Sequence, residues 1–314
     1  MITDISRDKD FISLLEQKVK DAERIITGYL PEEAGYGKKV IEAMNYSVTA
    51  GGKRLRPIML GESYLVFARE EHTAATKLVH AFMAAIEMIH SYSLVHDDLP
   101  ALDNDEYRRG RKTTHAVYGA GMATIAGDAL LNYAFETIIG ALRITAGRDN
   151  GLTAKGIEAF DILSSKAGIY GMIGGQSADL EAEGAGMIPG DQLIYIHENK
   201  TSALIEAALM CGAILAGADI HEISDMEKAG RLTGLAFQIR DDILDVEGDE
   251  TKLGKPLHSD EKNGKCTYVS LYGLERAKLD CEGFSEEAAG LVSKYAGTDG
   301  FLTGLIQYLT RRES

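Results

Sequence analysis

The sequence predicts an all-α protein, a single large helical bundle. Three observations carry that prediction. Nearly every long segment repeats its apolar residues at helical spacing, strand signals are almost absent, and the 314 residues include only 5 Pro. In chain order, helices are expected over Ser6–Tyr29, Lys38–Ala50, Arg56–Arg69, Ala74–His96, Gly121–Ala146, Thr153–Glu183, Gly190–Ala216, Ser224–Glu247, Thr267–Glu282, Ser285–Tyr295 and Gly300–Arg311. Gly51-Gly52, Gly110, Gly119, Gly151 and Pro189-Gly190 punctuate the pattern, because these residue types favour turns over helix interiors. Three of the helices, Ala74–His96, Gly121–Ala146 and Gly190–Ala216, are apolar around much of their circumference and belong at the centre of a bundle or in an interface. The stretch Gly248–Lys265 is long for a connection in a helical domain and carries lysines 252, 255, 262 and 265, so it is expected to be a flexible lid. No internal boundary is visible, and residues 1–314 read as one domain.

Composition narrows the function. The net charge is −15, which argues against nucleic acid, since a phosphate backbone needs a basic face. Cys211, Cys266 and Cys281 are widely spaced and odd in number, and read as reduced thiols in the cytoplasm. The N-terminal stretch Met1–Phe11 is charged and is not a signal peptide. The most apolar stretch, Ala207–Ala218, is too short to span a bilayer, and no membrane span is expected.

Two aspartate clusters dominate the chemistry. Asp97-Asp98-Leu99-Pro100-Ala101-Leu102-Asp103 and Asp241-Asp242-Ile243-Leu244-Asp245 each end an apolar helix, where like charges repel and oppose the negative end of the helix dipole. Something positive is expected at each. Mg2+ suits carboxylate oxygens and completes its shell with substrate phosphates. Arg108, Arg109, Arg111 and Lys112 follow the first cluster and Lys252 and Lys255 the second, available for the remaining phosphate charge. The sequence therefore reads as a Mg2+–diphosphate site built from two facing halves. Pro100 is expected to bend or end the first helix and let the chain fold Asp103 back. His90, Ser93 and Asp97 share a stripe on that helix, like one wall of a cavity, and Gln238, Asp241, Asp242 and Asp245 form a polar stripe on the other. Lys53, Arg54 and Arg56, next to Gly51-Gly52, make an anion pocket. Lys200-Thr201, and Gln176 with Asp179, are polar positions on apolar helices. There is no nucleophile–base arrangement, no Walker loop and no HExxH spacing.

These residues together resemble the trans-isoprenyl diphosphate synthase family, most of all its short-chain bacterial members. The likeness rests on Gly-Gly-Lys-Arg-Leu-Arg-Pro at 51–57, the stretch from His90 to Asp103, Arg108-Arg109-Gly110, Ala126-Gly127-Asp128, Gly174-Gly175-Gln176, Lys200-Thr201 and Phe237-Gln238-Ile239-Arg240-Asp241-Asp242. It implies an isoprenoid-synthase bundle with a deep central cavity, usually a homodimer. Asp97, Asp98, Asp103, Asp241 and Asp245 would hold Mg2+, about three ions by the family pattern. Asp97, Asp98, Asp103, Lys200, Asp241 and Asp242 would form the catalytic set. Arg108, Lys200, Thr201, Gln238, Lys255 and Lys265 would hold the allylic diphosphate, and Lys53, Arg56, His90 and Arg109 isopentenyl diphosphate.

The implied reaction condenses isopentenyl diphosphate with dimethylallyl and then geranyl diphosphate, giving the fifteen-carbon farnesyl diphosphate. A large side chain below the first aspartate cluster sets the tail length in this family. Tyr92 lies five residues before Asp97, roughly 7.5 Å along the helix axis. Helical geometry alone puts Ser93 more directly beneath Asp97, so the choice of Tyr92 comes from the resemblance. A twenty-carbon product is the first alternative. A terpene cyclase, a non-catalytic partner subunit and a plain cation-binding scaffold are the others. The cations at 53–56 speak against a one-substrate cyclase, and the intact aspartate clusters against an inert subunit.

Overall fold

The computed structural model describes residues 2–69, 73–248, 265–297 and 300–311. The helices are α1 (Ile2–Gly28), α2 (Lys38–Val48), α3 (Leu55–Phe67), α4 (Thr73–Asp97), α5 (Thr114–Tyr118), α6 (Ala120–Thr145), α7 (Asn150–Ala167), α8 (Met172–Ala182), α9 (Gly190–Ile196), α10 (Ala203–Ala216), α11 (Ile220–Glu247), α12 (Tyr268–Tyr272), α13 (Leu274–Ala296) and α14 (Phe301–Arg311). A two-stranded antiparallel hairpin, β1 (Tyr107–Arg108) with β2 (Arg111–Lys112), is the only sheet among the described residues. The all-α prediction holds. The expected lid lies, from residue 249 to 264, outside the described residues.

The chain gathers into two compact units, residues 1–61 with 69–158, and residues 62–68 with 159–314, so the boundaries fall inside α3 and α7. In the first unit α4 is the core helix. Phe82, Ile86, Met88 and Ile89 are fully buried, as are Leu130 and Ile138 of α6. Both α4 and α6 are long and apolar enough, by length and composition, to cross a bilayer. The most apolar window of α4 is 78% buried, as in a core helix, but that of α6 is only 33% buried. In the second unit α10 is buried from Ala203 to Leu215. Leu302, Leu305, Ile306 and Leu309 form the buried stripe of α14 at helical spacing.

Several helices differ from expectation. The predicted Thr153–Glu183 helix is broken into α7 and α8 by a turn that Gly171 permits, since a Cβ there would overlap the Lys166 backbone. The break predicted near Gly283 is absent and α13 runs through it. One interior glycine costs only about 1 kcal/mol, which packing overrides. The real break is Gly273, whose φ of +80° is open to glycine without strain. Helix α11 begins before Ser224, because Asp219 and Glu222 close a capping box. The predicted Gly190–Ala216 helix is interrupted by a π-helical turn, His197–Ser202.

Candidate active site

In the first unit the aspartate cluster takes the shape that Pro100 predicts. Helix α4 ends at Asp97, the Leu102 amide bonds to Leu99 O at 2.9 Å, and the Asp103 amide returns to Asp97 O at 2.9 Å. Asn104, at φ +52°, completes the reversal. Asp98 is buried, and Arg108 donates to its Oδ1 at 2.6 Å from Nε. Burial lifts the Asp98 carboxyl above its ordinary range against the pull of Arg108. Asp97 is half-buried and Asp103 exposed.

The hairpin that delivers Arg108 was not foreseen. Its turn residues, Arg109 and Gly110, have φ of +52° and +75°, the signs a two-residue type I′ turn requires. An arginine in that conformation is strained, a cost retained at functional positions. The strain aims Arg109 at the Gly51-Gly52 turn, where its guanidinium donates to Gly51 O and fills the space a Cβ on Gly52 would need. Across from it, Arg56 Nη1 lies 3.4 Å from His90 Nε2. Burial lowers Arg56 to about 10, with the Arg109 charge adding to the fall. Burial and the surrounding arginines hold His90 well below its ordinary value, hence neutral. Arg56, His90 and Arg109 thus lie close together, with Lys53 exposed nearby in sequence; the Glu87 carboxylate, which acts on both Arg56 and Arg109, is already paired with Arg54. Arg54 does not join them. It is buried and donates to Glu87 at 2.6 Å and to Val48 O at 2.7 Å.

Two histidine and tyrosine positions separate cleanly. His96 packs over Gly127, where no Cβ fits, and Nε2 meets Thr124 O at 3.1 Å, so it is a half-buried histidine with a hydrogen-bonded, packing role. Tyr92 is 6% exposed, lies edge-on to His96, and its hydroxyl has no hydrogen-bond partner among the described residues. Burial and the Asp97 charge raise its pKa to about 12. Ser93 is half-buried with its hydroxyl turned to His90 O.

In the second unit the site is organised by the π-helical turn, which sequence reasoning missed. Such turns insert one residue into a helix and concentrate at functional sites. Lys200 Nζ reaches Asp179 of α8 at 2.5 Å, and the Thr201 hydroxyl donates to Gln238 Oε1 of α11 at 3.2 Å. Gly175 lies so close to the backbone of Asn199 and Lys200 that a side chain there is excluded. Burial would raise Asp179, but Lys200 and Lys265 outweigh it and hold its carboxyl below the ordinary range. His197, buried in the same turn, is pulled down to about 4 by burial and by the Lys265 charge. On α11, Asp241 is half-buried and Asp245 buried. Asp242 is buried too, and accepts the Tyr268 amide at 2.7 Å, tying α11 to the start of α12. Lys265 is exposed, and Lys255 lies outside the described residues.

The donors decide whether Mg2+ suits these residues. Asp97, Asp98, Asp103, Asp241 and Asp245 offer hard carboxylate oxygens and neither thiolate nor imidazole. No three His, Cys, Asp or Glu side chains among the described residues converge to chelate an ion by themselves. That is compatible with Mg2+, which binds through one or two carboxylates and takes its other ligands from phosphate and water. The residues fit.

Comparison with known proteins follows the same line. A family model described as polyprenyl synthetase matches residues 38–292. Farnesyl diphosphate synthase of Geobacillus stearothermophilus is 40% identical, covering 91% of this chain and 92% of that protein. Geranylgeranyl diphosphate synthase of Cyanophora paradoxa is 42% identical, covering 79% of each. The structure of a geranyltransferase from Helicobacter pylori, complexed with magnesium and isoprenyl diphosphate, superposes with a TM-score of 0.76 at 30% identity, covering 95% of this chain and 96% of that one. With a carboxylate set and a phosphate-type cation set built into each unit, and the family model spanning both, this chain belongs to the polyprenyl synthetase family.

Proposed function

We infer that this chain is a trans-prenyltransferase that condenses isopentenyl diphosphate with dimethylallyl and geranyl diphosphate to make farnesyl diphosphate. One observation carries the reading. Besides its carboxylates, the first unit holds two arginines, Arg56 and Arg109, beside the neutral imidazole of His90, a set suited to an anion of its own. A cyclase with one substrate has no use for it; a two-substrate transferase does. The two units together form one synthase domain, supported by a family match that runs through both.

Lys53, Arg56, His90 and Arg109 hold isopentenyl diphosphate. Asp97, Asp98 and Asp103, and Asp241 with Asp245, hold Mg2+ for the allylic diphosphate. When bound, Mg2+ supplies Lewis-acid neutralisation of the charge that grows on the leaving diphosphate. The chain's own cations add to this. Arg108 shifts from Asp98, and Lys200 from Asp179, toward the diphosphate oxygens; Thr201, Gln238, Lys255 and Lys265 complete its hydrogen bonds. Breaking the allylic C–O bond leaves a carbocation, which the isopentenyl double bond attacks to form the new C–C bond. The proton lost from the adduct goes to the departing diphosphate, so no protein base is required. Asp242 acts with this set through its hold on Tyr268.

Tyr92 forms the floor that stops the tail at fifteen carbons. A homodimer is proposed as well, because α6 leaves Ile125 and Ile139, which share one side of the helix, at 55% and 44% exposure, an apolar stripe suited to a second copy. The setting is cytoplasmic, consistent with three cysteines that form no disulfide.

Purified protein is incubated with labelled isopentenyl diphosphate and geranyl diphosphate, with and without Mg2+, and products are separated by chromatography. A fifteen-carbon diphosphate formed only with Mg2+ is the expected result. A cyclic hydrocarbon, or no consumption of isopentenyl diphosphate, overturns the reading.

A further inference from the structure

Beside the π-helical turn lies a charge cluster, built around the buried Glu206, that the chemistry above does not use. Glu206 stands on α10, where every other side chain from Ala203 to Leu215 is apolar, and is itself 5% exposed. A carboxylate there is costly unless paired. Lys166 of α7 supplies the partner: its ammonium donates to Glu206 and, at 2.8 Å, to Glu227 of α11. Burial lifts the Glu206 carboxyl above its ordinary range and Lys166 opposes that rise. Arg231 of α11 pairs with Glu198 of the π-helical turn at 3.7 Å. All these groups line one polar cavity of about 480 Å³.

The same face of α11 meets the π-helical turn and α10 in a defined register. Gly230 lies against the Glu206 backbone and Gly234 against Ser202, each without room for a Cβ, and Gln238 accepts from Thr201. Asp241 follows within one turn of Gln238. Glycines let two helices lie close, but they do not say where along their lengths. Apolar contacts tolerate a slip of one turn, about 5.4 Å. Ion pairs do not: Glu206 fixes the Lys166 ammonium, and a slip of α11 would carry Glu227 away from that ammonium and Arg231 away from Glu198; fixing register is the best-attested use of buried polar groups.

We propose that Lys166, Glu206 and Glu227 are positioning residues that pin α11 to the π-helical turn in the register that sets Lys200 and Thr201 beside Gln238. The proposal rests on the reading that Lys200 and Thr201 hold the allylic diphosphate, and its test separates the two. Lys166→Met removes the shared cation. Glu206→Gln keeps the volume and removes the charge, and the double variant replaces the pair with neutral groups if Lys166→Met alone fails to fold. In variants that fold, the KM for the allylic diphosphate rises about tenfold, the penalty of a small misplacement, and the KM for isopentenyl diphosphate stays within about twofold, because its cations belong to the other unit. Amide exchange of residues 197–203, read by mass spectrometry on ligand-free protein, speeds up by about tenfold or more. A purely structural role would lower melting temperature and active fraction and leave both KM values alone. Equal shifts in the two KM values, or unchanged exchange over 197–203, overturn the proposal. Wild-type product formation judges the prenyl-transfer reading separately, because the exchange experiment needs no substrate.

Discussion

A phenol buried with its hydroxyl unsatisfied costs about 1–3 kcal/mol, so Tyr92 is retained at a price in stability. Its ring, not its hydroxyl, fits the role of a floor. Tyr92→Ala is therefore expected to shift the product toward twenty carbons, while Tyr92→Phe keeps fifteen and folds at least as stably. Chromatography of the products checks both, and an unchanged distribution in Tyr92→Ala would remove Tyr92 from that role. Position along the helix pointed to Ser93, because spacing alone ranks residues by angle below Asp97. Burial ranks them differently: Ser93 is half-buried and occupied with His90 O, whereas Tyr92 is inside. The cations at 53–56 show the same limit. Charge type and spacing mark them as one pocket, yet Arg54 turns inward to Glu87, a partner 33 residues away along the chain. A buried ion pair between distant residues leaves no local trace in a sequence. His90 was legible because Asp97 follows it at helical spacing on the same helix.

At the scale of elements, what was readable depended on how local its cause is. Pro100 sits inside the cluster it bends, and the Asp103 amide does return to Asp97 O. The hairpin at Arg109-Gly110 carries neither Asn-Gly nor Asp-Gly, the usual signals of a type I′ turn, and was missed. The π-helical turn was missed because an inserted residue changes neither composition nor helical character. Its only trace is a phase slip in the apolar pattern between Ile196 and Ala203. What holds the turn is tertiary: Gly175 on one side, Gly234 on the other. A Cβ at position 234 would fall on the Ser202 side chain and Cα, and backbone cannot yield as a flexible side chain can. Gly234→Ala is accordingly expected to lower stability by about 2 kcal/mol through overpacking. It should also weaken allylic diphosphate binding by parting Thr201 from Gln238. Thermal unfolding and a KM measurement check the pair of effects. A variant with wild-type stability would mean that α11 is not held close at this point.

At the scale of the molecule, the two units each bury a histidine that stays neutral, His90 in the first and His197 in the second. The consequence is a stability that depends on pH in a stated direction. In the unfolded chain both titrate near 6.5; in the fold, burial holds His90 well below that and His197 at about 4. Between the two values the unfolded chain binds protons that the folded chain refuses. The stability these histidines contribute is full above pH 6.5 and is lost as pH falls toward 4. For His197 alone a shift of that size is worth on the order of 3 kcal/mol by the low end of the window. Asp98 and Glu206 act oppositely, because their carboxyls are raised by burial and gain protons in the fold first, but that offset begins nearer the ordinary carboxylate range. The upper part of the window, pH 6.5 to 5, therefore belongs to the histidines. Melting temperature is expected to fall across it, and His197→Gln to flatten the slope whatever it does to the absolute value. A melting temperature that holds steady or rises from pH 6.5 to 5 would show that these imidazoles reach solvent protons in the folded state.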